Sequence, residues 1–284
     1  MWKDNEKAPV WEYLGWVLLI SAVSEIIILL LEPYSIAFAK NGTLTAGYVF
    51  YAITGILFTT PNPMIAIYIV LKRHKKIRSV KDFFKLILHT ADIIKTFLIT
   101  AAFCAAVLCA AIIYGTRTSS PWYVMIIAFP VMIIGGGVEE IGWRGFLQPA
   151  LEKKFPFPIA TFMVSAIWFS WHLPLWIEPS SNHYGDSLAG FAITITVWAF
   201  VGASIYKATK SVIACVTYHT FMNSIGAIYN WNALFDTFPN KSGMIVYYCI
   251  ALIAAVIIWL LADRKEKRAL RKEYINEEIH VSEV

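Results

Sequence analysis

IIKTFLITAAFCAAVLCAAIIY, residues 93–114, carries a single charged side chain, Lys95, in a run that is otherwise largely apolar. An α-helix needs about 20 consecutive apolar residues to cross the roughly 30 Å hydrocarbon core of a bilayer. Inside that core the backbone must satisfy its own hydrogen bonds, and a helix does this within one segment. The stretch therefore predicts a transmembrane helix.

Similar runs recur along the whole chain, which is 58% hydrophobic and only 15% charged. Soluble domains usually contain about 25% charged residues. The runs predict an all-α, polytopic membrane protein with about eight transmembrane helices in one bundle. We predict that residues 1–284 form a single membrane-embedded domain. The further runs are residues 12–31, 46–71, 121–150, 158–177, 187–206, 211–229 and 243–262.

Lysine and arginine are concentrated in the loop after the second run and in the segment after the last run. Cytoplasmic segments carry an excess of these residues. An even number of crossings then places both termini in the cytoplasm of a multi-pass cell-membrane protein, with residues 264–284 as a cytoplasmic tail. Loops around residues 32–45, 178–186 and 230–242 carry few basic residues and are predicted to be exterior. No basic patch with interleaved exposed aromatics is visible, so we predict no nucleic-acid partner.

Residues 79–91, inside the basic loop, have the pattern of a short amphipathic helix. Apolar residues recur there at spacings of three and four, beside Lys81 and Lys85, which is typical of a helix lying at a membrane surface. Two roles are compatible with this pattern, namely a gate for substrate or lipid and a simple connector. The apolar residues are Val80, Phe83, Phe84, Ile87 and Leu88.

VMIIGGGVEEIGWRGFLQP, residues 131–149, places two carboxylates and a guanidinium at the end of an apolar run. Glu140 and Arg144 are four residues apart on a helix, in the order that favours an ion pair. Glu139 lies about 100° around the helix from Glu140. A charge inside a bilayer is costly and is usually paired or functional. We therefore predict that Glu140 is structural and that Glu139 is available for chemistry.

Two further runs add polar groups at a spacing of four residues. His172 follows Trp168 in one run, and His219 precedes Asn223 in another. The economical arrangement is a bundle in which these side chains and Glu139 face one polar cavity. A carboxylate, two imidazoles and an amide can activate water and stabilise an oxyanion, which predicts a hydrolase.

The same side chains leave a second mechanism open. Glu139, His172 and His219 could instead hold zinc, with water in the fourth position. The HExxH and GxSxG motifs of zinc proteases and serine hydrolases are absent from the sequence. The residues by themselves do not separate the two mechanisms.

These motifs identify a resemblance to the type II CAAX prenyl endopeptidase family, also called the CPBP or Abi family. The EExxxR pattern is matched by Glu139, Glu140 and Arg144, and HxxxN by His219 and Asn223. FxxxH corresponds to Trp168 and His172, with tryptophan in place of phenylalanine, and the resemblance covers about residues 121–230, the expected catalytic core.

The resemblance implies a role for each residue. Glu139 would be the general base that activates water without a cofactor, assisted by His172, and zinc is the alternative. His219 and Asn223 would form the oxyanion site, and Arg144 would hold Glu140 and the local helix. The family's eight-helix bundle also resembles the arrangement of apolar runs in this chain.

The expected function is therefore an intramembrane endopeptidase whose partners are the lipid bilayer and a peptide or lipidated-protein substrate, prenylated or not. The main alternative is a non-catalytic bacteriocin-immunity or peptide-binding membrane protein. A transporter is less favoured, because the first half of the chain contains no counterpart of the EExxxR or histidine motifs.

Overall fold

The computed structural model describes residues 6–181, 183–230 and 241–282, which form helices apart from one short pair of strands. The strands, Thr116–Arg117 and Tyr229–Asn230, pair antiparallel at the ends of neighbouring helices. The helices are α1 Val10–Asn41, α2 Ala46–Thr54, α3 Asn62–Arg73, α4 Val80–Ile87, α5 Ile93–Tyr114, α6 Val124–Met132, α7 Glu139–Gly142, α8 Gln148–Glu152, α9 Phe157–His172, α10 Leu188–Thr209, α11 Val212–Ile225 and α12 Lys241–Ser282.

Six helical segments in the described part of the chain are long and apolar enough to cross a membrane, and α2 with α3 forms a seventh if the bent pair counts as one span. The two halves of that pair meet at an angle of 53°. The all-α membrane bundle is therefore confirmed, with six or seven candidate spans where about eight were expected. The difference lies in α11, whose 14 residues measure about 21 Å and fall short of the hydrocarbon thickness.

The fourth span, Val124–Glu152, is interrupted twice by turns of π-helix. The first, Ile133–Gly137, follows Pro130 and contains Gly136, whose φ of +155° is one that L side chains rarely adopt. A Cβ atom at Gly136 would collide with the Asn223 amide. The glycines therefore let the break in this span approach α11 and turn α7 toward the bundle interior.

The core of the bundle has two parts. The first packs α1 and α3 against α7, α8 and α9, and includes the aromatic group Tyr13, Trp143 and Phe146. The Tyr13 ring lies 5.0 Å from the Phe146 ring in an edge-on contact. The second part joins α5, α10, α11 and α12. The interrupted span and α11 lie between these two parts, which brings their polar side chains into the interior.

Residues 79–91 contain α4, which begins with a capping box formed by Ser79 and Asp82. Phe83 is buried against the bundle, whereas Phe84 is half exposed, so the helix has one apolar face on the protein and another facing outward. The membrane-surface position of α4 stays a prediction, as do the cytoplasmic tail and both cytoplasmic termini. Residues 231–240 of the predicted exterior loop lie outside the described residues.

Candidate active site

A cavity of about 600 Å³ lies between the interrupted span, α9, α10 and α11. The four residues predicted to be catalytic all line it: Glu139, His172, His219 and Asn223. Their side chains come from three different helices, and the chain segments between them are long. The bundle therefore brings together the polar groups that the sequence places apart.

Glu139 begins the single turn of α7 between the two π-helical turns, and only 4% of its surface is exposed. Its Oε2 atom accepts a hydrogen bond of 2.8 Å from the indole Nε1–H of Trp168. This carboxylate therefore lies in the cavity wall with one oxygen held by a neutral donor.

Glu140, one residue further on, has different partners. Its Oε1 atom accepts hydrogen bonds from Arg144 Nη1 at 2.8 Å and from the Nδ1 atom of His219 at 2.9 Å. The Arg144 guanidinium is fully buried, and its carbon lies 4.6 Å from the centroid of the Trp168 ring. The predicted ion pair is present, and the contact with His219 is an addition that the motif spacing did not predict.

His219 is oriented by that contact, because an ionised carboxylate can only accept, so Nδ1 must donate. Its other ring nitrogen, Nε2, lies on the side of Gly136. Asn223, one turn later in α11, donates a long hydrogen bond of 3.4 Å from its amide to the carbonyl of Gly135. The break in the interrupted span and the polar face of α11 therefore meet at the cavity wall.

His172 ends α9, and its Nδ1 atom lies 2.8 Å from the backbone carbonyl of Trp168. A carbonyl oxygen accepts only, so Nδ1 carries the proton, and Nε2 is an acceptor when the imidazole is neutral. Trp168 is therefore hydrogen-bonded to two of the predicted catalytic residues, to His172 through its backbone and to Glu139 through its side chain.

Three polar residues that the motifs did not single out for chemistry also line the cavity: Glu25, His183 and Asp186. His183 Nδ1 lies 3.1 Å from Asp186 Oδ2, and the His183 ring is 6.5 Å from that of His172. Burial lowers the pKa of His183, an effect that Asp186 opposes. Glu25 could have been found from the sequence, because it is an acid inside the first apolar run. His183 and Asp186 could not, because they lie in a short loop without a motif.

Glu25, which lines the cavity, belongs to a group of carboxyls with Glu32 and Glu178. Glu178, in the loop after α9, is 4% exposed, and burial together with the Glu25 and Glu32 carboxyls raises its pKa to about 9. Glu32 Oε1 accepts hydrogen bonds from the backbone N–H and the hydroxyl of Ser180. These contacts fasten the loop to α1.

The zinc alternative requires Glu139, His172 and His219 to converge on one point. Across residues 6–181, 183–230 and 241–282, no three His, Cys, Asp or Glu side chains come together so that they could hold a metal ion. The Nδ1 atoms of His172 and His219 are directed to the Trp168 carbonyl and to Glu140, which leaves only Nε2 of each ring to face a metal ion, and these atoms do not converge with Glu139 on one point. The arrangement does not fit a zinc site.

The resemblance inferred from the motifs is confirmed by comparison with protein families. Residues 120–225 match the family described as type II CAAX prenyl endopeptidase Rce1-like. Glu139, His172, His219 and Asn223 all fall inside the matched segment. The chain is also similar to CAAX prenyl protease 2 of Methanococcus maripaludis, with 25% identity over 142 residues. That alignment covers 48% of this chain and 49% of the relative, so the chain spans about half the length of the curated relative it matches.

Proposed function

We propose that this protein is an intramembrane endopeptidase in which Glu139 activates a water molecule for attack on a peptide bond. The observation that carries the proposal is the convergence of Glu139, His172, His219 and Asn223 on one buried cavity. A carboxylate beside two imidazoles and an amide supplies a proton acceptor, a group that orients water, and donors for an oxyanion. The family match over residues 120–225 supports the same class of reaction.

In the proposed reaction, Glu139 takes a proton from water while the water oxygen bonds to the carbonyl carbon. His172 orients that water through Nε2, because its Nδ1 proton is engaged by the Trp168 carbonyl. The carbonyl oxygen becomes an oxyanion, and the carbon–nitrogen bond then breaks. Glu139 returns its proton to the leaving amine, so the carboxylate is regenerated and no group is consumed.

The oxyanion is stabilised by His219 and Asn223. This role requires His219 to carry both ring protons, with Nδ1–H directed to Glu140 and Nε2–H toward the substrate oxygen. Among the described residues the Asn223 amide makes one hydrogen bond, at a long 3.4 Å, so turning it to a substrate oxygen loses little. Glu140 is not placed to act as the base, because it is absent from the cavity lining and its Oε1 atom is bonded to Arg144 and His219.

The substrate we propose is a membrane-associated protein or peptide, and a prenylated cysteine peptide is the first to test. The related Methanococcus maripaludis protein is named a CAAX prenyl protease. The cavity lies within a helical bundle whose outer surface is apolar, so a lipid-anchored peptide would be concentrated at the same depth.

The test uses purified full-length protein and one synthetic peptide ending in a CAAX sequence, prepared with and without a farnesyl group. Each is incubated with and without a chelator, and mass spectrometry identifies the products. We expect wild-type protein to release the residues after the cysteine, with no loss of activity in chelator.

Glu139→Gln is the decisive variant, because an amide cannot take a proton from water. We expect its turnover to fall at least about 1,000-fold while peptide binding is retained. Glu12→Gln, which alters a glutamate paired with Arg73 outside the cavity, is the matched control and should remain active. Full turnover by Glu139→Gln would refute the proposed base, and peptide capture without cleavage by wild-type protein would favour the binding-protein alternative.

A further inference from the structure

Trp168 occupies the position where the family pattern has phenylalanine, and the difference changes its chemistry. The residue is 1% exposed, and its indole N–H donates a 2.8 Å hydrogen bond to Glu139 Oε2. Phenylalanine could fill much of the same space but has no proton to donate. The substitution therefore adds a hydrogen bond to the carboxylate that the proposed reaction uses as its base.

Other contacts of Trp168 fix the direction of that N–H. The Arg144 guanidinium lies 4.6 Å from the ring centroid, and the His219 ring packs edge-on at 5.4 Å. The Trp168 carbonyl is 2.8 Å from His172 Nδ1. The ring contacts with Arg144 and His219 therefore favour the orientation in which the indole N–H points to Glu139.

Glu139 needs such a donor because of how charge is distributed around it. The nearby guanidinium of Arg144 bonds to Glu140, so Glu139 has no cation in direct ion-pair contact among the described residues. A buried carboxylate without a cation is stabilised mainly by the hydrogen bonds it accepts. A hydrogen bond to a charged group is also stronger and shorter than one between neutral groups.

We propose that Trp168 is a positioning residue: its indole N–H fixes one oxygen of Glu139 and favours the ionised carboxylate, which leaves the other oxygen to accept the proton of water. This inference rests on the proposed function of Glu139 as the base.

The first test compares Trp168→Phe with wild-type protein across a range of pH, using the farnesylated peptide. Loss of a hydrogen bond to a charged group shifts an ionisation equilibrium by about tenfold or more. We therefore expect the acidic limb of the kcat/KM profile to move to higher pH by about one unit. Trp259→Phe, which alters the stack on Phe157 between α9 and α12, is the matched control and should leave the limb unmoved.

A purely structural role for Trp168 would give a different result. It would lower kcat/KM at every pH and leave the limb where it is, and that outcome would overturn the inference. If Trp168→Phe fails to fold, benzothienylalanine introduced at position 168 serves as the second variant. It keeps the shape of the indole and replaces the N–H by sulfur, so the same shift of the limb is expected.

A measurement without substrate separates this inference from the proposed function. The indole N–H signal of Trp168, assigned by its loss in Trp168→Phe, is followed by NMR in detergent micelles. We expect the signal to shift in Glu139→Gln, because an amide oxygen is a weaker acceptor than a carboxylate. An unchanged signal would refute the hydrogen bond. A shifted signal in a protein that cleaves no peptide would support the hydrogen bond and refute the proposed peptidase function.

Discussion

At the scale of residues, Glu139 and Glu140 are neighbours in the chain with opposite surroundings. Glu140 shares one oxygen between Arg144 and His219, whereas Glu139 is bonded to the neutral indole of Trp168. The helical step of about 100° between adjacent residues separates the two carboxylates. One therefore anchors the interior, and the other lines the cavity.

The Arg144 guanidinium provides a prediction about stability. Removing one partner of a buried ion pair costs about 3–5 kcal/mol, because the other charge is left without compensation. Arg144→Met should therefore lower the yield and the melting temperature in detergent. The double variant Glu140→Gln with Arg144→Met should lose less, since neither buried charge remains. A melting temperature of Arg144→Met equal to that of wild type would contradict this account.

At the scale of elements, the break at Ile133–Gly137 decides where the polar residues of the fourth span point. Gly136 has a φ of +155°, and a side chain there would press on Asn223 and His219. Gly135 has an ordinary φ of −73°, and a Cβ atom there would meet only the flexible Met132 side chain at 3.3 Å. Gly136 must therefore remain glycine, whereas Gly135 can accept a small side chain.

Gly136→Ala should for this reason displace Asn223 and reduce kcat/KM by about 100-fold, the cost expected for an error of about 1 Å in a catalytic group. Gly135→Ala is the matched control and should keep most of the activity. Both variants are assayed with the farnesylated peptide, after their melting temperatures are compared. Equal activity of the two variants would show that the conformation of Gly136 does not control the site.

At the scale of the whole molecule, the loop after α9 is tied to α1 by buried carboxyls. Ser180 bonds to Glu32 through its N–H and hydroxyl, and its hydroxyl also lies 2.9 Å from the hydroxyl of Tyr51 in α2. Beside these contacts, the Glu178 carboxyl faces those of Glu25 and Glu32. The loop that brings His183 and Asp186 to the cavity is therefore held by contacts with the first two helices.

The carboxyl of Glu178 makes the stability of this arrangement depend on pH. Its pKa is raised from 4.5 to about 9, so the folded protein keeps a proton that the unfolded chain releases between those values. The contribution of Glu178 to the free energy of unfolding is therefore fully present below pH 4.5. It falls as pH rises from 4.5 to about 9 and levels off above that. Glu178→Gln should show a smaller fall in melting temperature between about pH 5.5 and about pH 8.5 than wild type. If the melting temperature of the variant fell as much as that of wild type, Glu178 would not be the group responsible.

The class of the fold and the polar groups of the cavity could be predicted from the amino-acid sequence alone. Long apolar runs require helices in a membrane, and polar residues four apart on a helix share one face. Both rules act within one segment of the chain, so they can be applied to the sequence without knowing the fold. The same local rules found the Glu140–Arg144 pair. They predict about eight spans where six or seven described segments are long and apolar enough to cross, because hydropathy does not show that α11 has only 14 residues.

Which of these groups touch one another could be seen only in the folded helical bundle. The hydrogen bonds from Trp168 to Glu139 and from His219 to Glu140, and the presence of Glu25, His183 and Asp186 in the cavity wall, join segments distant in the chain. Such contacts depend on how helices cross and where one of them breaks. That geometry is set by close packing around Gly136 and α11, which no local spacing of residues records.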